Sequence, residues 1–297
     1  MKRATTIDEQ IELLRSRGMV IKDEKKAREV LSDIGYFRLG FYCFPFEKSY
    51  PRKDNRSHLY KDGSLLSDVV DLYYFDTDLR NILLKYLFRI EVNFRTKLVY
   101  IVSGIYKDSP TWFADPSVVK RKYARDFDQK IYDTIFMRQA IIRRHHNDPK
   151  HLNDRFAPAW KTIEFMTFGM TIELFNAIQD LSVRDRIAKE YGLRLGKILA
   201  GYIETAKSLR NACSHGNTLF DFRLAQPINK GPAGRMTTEE SSNLVGAVMV
   251  TRYLLSKISS HRESEMVDEI KSLLDSGHNN AVIADLRTKF RSKLQGR

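Results

Sequence analysis

The sequence predicts an all-α chain, and three observations predict it. Apolar residues recur every three or four positions through long stretches, most clearly from Leu72 to Ile101. Helix start and stop signals bracket such stretches, with a Thr-x-x-Glu box at residue 6 and glycines at 18, 35 and 216. The interruptions at 147–150 and 227–234 sit between helical patterns that each need a partner to bury an apolar face, which makes them loops and not domain linkers.

Taken in order, Thr6-Ile7-Asp8-Glu9 forms a capping box, in which the Thr6 hydroxyl and the Glu9 carboxylate each satisfy an orphan backbone donor ahead of Ile7, Ile11 and Leu14. Gly18 ends that helix. A second helix starts after Asp23, turns Ala27, Val30, Leu31 and Ile34 inward, and stops at Gly35. Tyr36 to Phe46 mixes large rings with Gly40 and Pro45, so a buried, partly irregular elbow is expected in preference to a base-stacking surface. Residues 47–63 are polar, with Pro51, Asn55, Ser57 and Gly63, and are expected to be a mobile loop with room for a short hairpin.

From Ser67 onward, Leu72, Phe75, Leu79, Ile82, Leu83, Tyr86, Leu87, Ile90, Phe94, Leu98 and Ile101 describe one long helix or two nearly collinear ones. Glu91 stands four residues before Arg95, the spacing of an intrahelical ion pair. Arg38 and Arg89 lie among bulky apolar neighbours, and buried structural pairs are expected for both. Between Lys120 and Lys150, nine Lys or Arg face four Asp, while Tyr123, Phe127, Ile131, Tyr132, Ile135, Phe136 and Ile141 supply a helical apolar face. The cations Lys120, Arg121, Lys122, Arg125, Arg143 and Arg144 then form either a solvated face or a stripe that tracks phosphates. Leu195, Ile198, Leu199, Tyr202, Ile203, Ala206 and Leu209 mark a further helix ending near Gly216, and Leu244–Leu274 and Ala281–Leu294 supply two or three more. The whole, 1–297, reads as one domain: a helical extension over about 1–63, a helical core over about 64–225 and C-terminal helices over about 240–297.

Composition narrows the function. The chain has 297 residues, 50 Lys plus Arg against 37 Asp plus Glu, and a formal charge of +13. That surplus, in a chain with 14 Tyr and 17 Phe, favours a polyanionic partner, nucleic acid ahead of a membrane surface. Two cysteines, Cys43 and Cys213, exclude a disulfide framework and any multi-cysteine zinc module and fit a reducing, cytoplasmic compartment. Neither an apolar signal core nor an uninterrupted apolar run of about 20 residues occurs, so no membrane is expected. No phosphate-cradling glycine loop points to ATP. His145, His146 and His151 show no carboxylate or cysteine at ligand spacing on the same face, and their tract is basic; a solvated or phosphate-facing cluster is expected there, with no metal and no cofactor.

Chemistry gathers at Leu209-Arg210-Asn211-Ala212-Cys213-Ser214-His215. Arg210 falls on the edge of the buried face, where a permanent cation needs an anionic partner. Glu164, after Trp160 on another apolar helix, is the expected one, with Glu91 a second supporting acid. Asn211 and His215 share a helix face, so the amide could orient the imidazole, whereas Arg210 and His215 lie about 140° apart on an ideal helix. They can serve one phosphate only if the helix unwinds before His215 or two copies of the chain bring their motifs face to face. On spacing alone, the favoured reading is that Arg210 and His215 cap and glue a helix end, His215 near the carboxyl end of the dipole and Arg210 paired to a buried Glu.

This segment resembles the Arg-Asn-x-x-x-His form of the Arg-x4-6-His signature of HEPN-superfamily ribonucleases. The rest of the chain resembles the Abi-like family of bacterial abortive-infection proteins, AbiD/AbiF type, through Gln10-Ile11-Glu12-Leu13-Leu14, Ile34 to Tyr42, Tyr74 to Arg80, Arg89 to Thr96, and Pro158 to Glu164 followed by Phe168-Gly169. The resemblance implies a HEPN-type helical bundle and phage defence by an RNA-cleaving toxin that needs no metal, with Arg210, Asn211 and His215 as catalytic residues. It further implies a homodimer and, as in some members, control by a small noncoding RNA. The rival expectation is an RNA-binding protein that uses the same fold without turnover, as half of a ribonucleoprotein; a third is a partner-binding component whose charge serves solubility.

Overall fold

The computed structural model describes residues 3–276 and 280–294, and every regular element among them is helical; strand pairing is limited to isolated bridges such as Glu47 with Tyr60. The elements are α1 (Ile7–Ser16), α2 (Glu24–Asp33), α3 (Tyr36–Cys43), α4 (Leu66–Ile105), α5 (Arg121–Asp126), α6 (Asp133–Ile135), α7 (Ala140–His146), α8 (Ala159–Thr162), α9 (Phe168–Ala177), α10 (Leu181–Lys189), α11 (Gly196–Ser214), α12 (Leu244–Ile258), α13 (Ser260–Asp275) and α14 (Ala281–Leu294). Among the described residues, no helix is long and apolar enough to cross a membrane.

Two compact units divide the chain. The first comprises residues 1–83, 212–222 and 267–297, and the second comprises 84–211 and 223–266. The chain passes between them inside α4, inside α11, after Phe222 and inside α13.

In the first unit, α1 begins as its sequence dictates: Thr6 Oγ1 accepts from the Glu9 amide at 3.2 Å and Glu9 accepts from the Thr6 amide at 2.8 Å. Asp23 caps α2 through the Lys26 amide, and Ala27, Val30 and Leu31 are buried, with Ile34 at the margin. The aromatic segment differs from the expected elbow. It is a regular helix, α3, followed by one 3₁₀ turn over Phe44–Phe46, and it buries Tyr42, Cys43 and Phe44 while Phe37 stays 82% exposed and Phe41 43%. Helical spacing on a short helix can bury only one stripe, so the rings on the opposite face are left in solvent. The polar loop that follows is pinned: the Glu47 carboxylate is buried and takes the Arg56 guanidinium and a Ser49 hydroxyl.

The long periodic stretch is one helix, α4, of 40 residues, with Leu72, Phe75, Leu79 and Leu83 buried in the first unit and Tyr86, Leu87, Ile90, Phe94 and Leu98 in the second. Its first part is closed by α14, whose Ile283, Leu286, Phe290 and Leu294 are buried and whose N-cap Asn280 donates to the Asp68 carbonyl at 2.6 Å.

In the second unit, the basic tract forms shorter pieces than its periodicity suggests. A π-helical turn over Phe127–Tyr132 and a 3₁₀ turn over Phe136–Arg138 shift the phase, so Phe127, Tyr132, Phe136 and Ile142 are buried while Ile135 and Ile141 face solvent. α11 buries Leu199, Tyr202, Ile203, Ala206 and Leu209, and α12 is buried along nearly its whole length.

Replacing Thr6 by Ala removes one half of the capping box at α1. A loss of about 1 kcal/mol in unfolding free energy is expected by urea denaturation, with the far-ultraviolet circular dichroism unchanged.

Candidate functional site

Helix α11 stops at Ser214, and His215 is its C-cap. The stop is a Schellman motif: the Asn217 amide donates to the Ala212 carbonyl at 2.8 Å and the Gly216 amide to Cys213 at 3.2 Å, with Gly216 at φ +66°. Only glycine adopts that φ without strain, and a Cβ there would stand 3.2 Å from the Arg38 Nη2. His215 is therefore outside the helix, exposed, and without a hydrogen-bond partner among the described residues.

What fixes the loop behind it is a buried acid. Asp76, on α4, is fully buried, and its Oδ1 accepts from the amides of Leu219 at 2.9 Å and Phe220 at 3.1 Å. Its Oδ2 takes Arg80 Nη1 at 2.7 Å and the Tyr42 hydroxyl at 3.0 Å. Arg80 also reaches the Asn217 carbonyl at 3.2 Å and the Tyr42 oxygen at 2.9 Å, and Arg38 donates to the Gly216 carbonyl. Burial pushes the Asp76 carboxyl up, opposed by the two amides, the guanidinium and the hydroxyl. Burial likewise pushes Tyr42 up to about 12, which keeps its hydroxyl protonated as a donor. Residues 216–220 are thus held at four backbone groups by Arg38, Asp76 and Arg80.

Sequence reasoning assigned none of these three a role at the loop, although a signal existed. Asp76 follows Leu72 by four and precedes Leu79 by three, so a charge sits in phase with core positions, and Arg80 is four further on. Arg38, expected to make a buried pair, instead caps a carbonyl from a half-buried position. Arg89, expected to do the same, is exposed, because Tyr86, Leu87 and Ile90 take the inward positions around it.

The second unit holds the other end of the motif. Arg210 Nη2 lies 3.3 Å from Glu91 Oε2, its Nη1 donates to Asn211 Oδ1 at 3.1 Å, and its guanidinium covers the Phe88 ring at 5.3 Å. Arg95 meets the other Glu91 oxygen at 3.3 Å and the Met166 carbonyl at 3.0 Å. The anion against Arg210 is therefore Glu91 and not Glu164. Glu164 is 67% exposed and approaches Arg95 at 3.6 Å, because it sits in the 3₁₀ turn Ile163–Phe165 beside that arginine. Arg95 thus stands between Glu91 and Glu164, while Arg210 has Glu91 alone and its side chain remains 25% exposed. Asn211, expected to orient the imidazole, has its side-chain oxygen engaged by Arg210.

Cys213 is buried, and burial pushes its thiol up to about 12, which keeps it protonated. Lys120, Arg121, Lys122, Arg125, Arg143 and Arg144 are all exposed. Lys122 and Lys130 hydrogen-bond Asp126 and hold its carboxyl down to about 2, so part of that tract's charge is neutralised internally. Near its end, His145 and His151 do have a carboxylate beside them, Asp154, contrary to the expectation from helix spacing; it comes from the loop after α7 and not from the helix face.

A family model described as Abi-like protein matches residues 29–221, which include Arg38, Asp76, Arg80, Glu91, Arg95, Glu164 and the whole of Arg210 to His215. Neither the curated proteins nor the solved structures gave a match. The match covers well over half of the chain, which therefore belongs to the Abi-like family.

Replacing Asp76 by Ala leaves Arg80 as an uncompensated buried cation. Unfolding free energy should fall by about 3–5 kcal/mol, and amide hydrogen exchange at Leu219 and Phe220 should accelerate well beyond the rest of the unit.

Proposed function

We propose that this Abi-like protein is an endoribonuclease that acts in phage defence by cutting RNA, with His215 as the proton-transferring group and Arg210 as the cation on the phosphate. The observation that carries the proposal is a free, exposed imidazole mounted on a loop that a buried carboxylate holds rigid. Catalytic groups need such mounting, since small misplacements cost large factors in rate.

The reaction follows from the groups. The His215 imidazole removes the proton of a ribose 2′-hydroxyl, the 2′-oxygen attacks phosphorus, and the 5′-oxygen leaves with a proton from an acid. Charge accumulating on the phosphoryl oxygens is met by the planar guanidinium fork of Arg210, with Glu91 orienting it. The ends produced are a 2′,3′-cyclic phosphate and a 5′-hydroxyl, and no metal enters the chemistry. Each chain supplies one His215, so a homodimer would provide the base and the acid together. The exposed basic residues around α5 and α7 would hold substrate or a small regulatory RNA. The same surface supports the alternative of an RNA-binding protein without turnover.

His215→Ala should lower cleavage of a single-stranded RNA by about 10²–10⁴-fold and leave RNA affinity unchanged. Arg210→Lys keeps a cation against Glu91, so the fold should hold, yet the fork is lost and cleavage should fall by a similar factor. Wild-type protein that binds RNA and leaves it intact would establish the non-catalytic alternative; an undiminished rate in His215→Ala would remove His215 from the mechanism.

Arg143→Gln combined with Arg144→Gln tests the basic tract. The dependence of log affinity on log salt should become shallower by roughly 1.4 if both contact phosphates of a single strand, at about 0.7 per contact.

A further inference from the structure

The second unit carries a feature that the proposed nuclease chemistry does not use. His145, the penultimate residue of α7, is buried to 1% of its side-chain surface, while His151 and Asp154 come from the following loop and are 40% and 44% exposed. His145 Nε2 lies 3.2 Å and His151 Nδ1 2.9 Å from the same Asp154 oxygen, and the three ligand atoms all fall within 4.8 Å of one another. His145 and His151 stack with ring centroids 4.2 Å apart.

One of these contacts leaves a buried group unanswered. His151 Nδ1 and Asp154 form a hydrogen bond, but His145 Nε2 does not; it is sealed from solvent with no hydrogen-bond partner among the described residues. A buried imidazole nitrogen without a partner costs about 1–3 kcal/mol, which native proteins rarely tolerate without a use for the group. A metal ion bonded to that nitrogen removes the deficit.

We propose that His145 Nε2, His151 Nδ1 and Asp154 bind one divalent transition-metal ion of the zinc type. Ligand edges around a tetrahedral zinc are about 3.3 Å for bonds of about 2.0–2.1 Å, close to the 3.2 Å and 2.9 Å separations from Asp154 already present, and the stacked rings turn so that both nitrogens face the ion. Two imidazoles select such an ion over magnesium or calcium, which take oxygen ligands. Three protein ligands leave a fourth position for water. The ion clips residues 147–155 to the end of α7. Opposing it is the Lys161 ammonium, 3.4 Å from His145 Nδ1, which has to swing aside so that this nitrogen can carry a proton while Nε2 binds metal. None of the ligands has a role on the scissile phosphate.

The test uses untagged full-length protein, stripped with EDTA, dialysed, and titrated with Zn²⁺ while bound metal and melting temperature are measured. About one equivalent should bind, the melting temperature should rise, and Co²⁺ in its place should give the visible absorption of a four-coordinate site. His151→Ala and Asp154→Asn alter half-exposed positions, so both should fold and melt close to the stripped wild type. Each should weaken Zn²⁺ binding by at least about tenfold, while Lys161→Met should tighten it. Failure of wild type to bind at millimolar Zn²⁺, or equal binding by wild type and both ligand variants, would overturn the site. Because the readouts are stoichiometry and melting, loss of the ion is distinguishable from loss of RNA cleavage.

Discussion

The structure around the candidate histidine depends on one buried carboxylate. Asp76 sits where α4 presents core residues, with Leu72 and Phe75 before it and Leu79 after it, all fully or almost fully buried. An ionised acid in that setting is tolerated only if its oxygens are saturated, and the two amides of Leu219 and Phe220 do part of that work. The requirement is mutual. Loop amides that would otherwise be orphaned after the end of α11 find their acceptor in the acid, and the acid finds its donors in the loop. A side chain buried for reasons of packing thereby dictates where the backbone after His215 must run.

The second unit repeats the device with the signs rearranged. Glu91, also on α4, is buried and serves two arginines, Arg95 and Arg210, one from its own helix and one from α11. Arg210 is held on three sides, by Glu91, by its neighbour Asn211 and by the Phe88 ring. A guanidinium so restrained loses little further rotamer freedom on meeting an anion. Acids on one helix thus govern both ends of the Arg210 to His215 segment.

Much of this fold could be read from the sequence because its signals are local. The capping box at Thr6 and Glu9, the cap at Asp23, the three-to-four-residue repeat along the 40 residues of α4 and the apolar stripe of α11 each depend on residues within a few turns of one another. The end of α11 was legible too, since Gly216 marks it. What stayed hidden depends on distant residues. Asp76 is 143 positions from Leu219, and no periodicity links them. Glu91 was visible as an acid but its second arginine was not, because only packing brings α11 to that point of α4. The phase change at Phe127–Tyr132 could not be foreseen either: a π turn adds one residue to a helix without any breaker to announce it. Asp154 escaped notice beside the histidines for the same reason that loops generally do, their geometry being set by what they lie against.

The first unit is assembled from three separated stretches, and this has a consequence for the order in which the molecule can be made. Its opening 83 residues wait for the 212–222 segment and then for α14, which closes on the Asp68 carbonyl. On a ribosome adding about 5–20 residues per second, the delay between Leu83 and the last of these pieces is roughly 10–40 s. Until residue 220 has been added Asp76 lacks its amide partners, and the loop bearing His215 is not seated. The loop that bears His215 is therefore seated by partners made more than 130 residues before it, and it gains its fixed course only after α11 has left the ribosome.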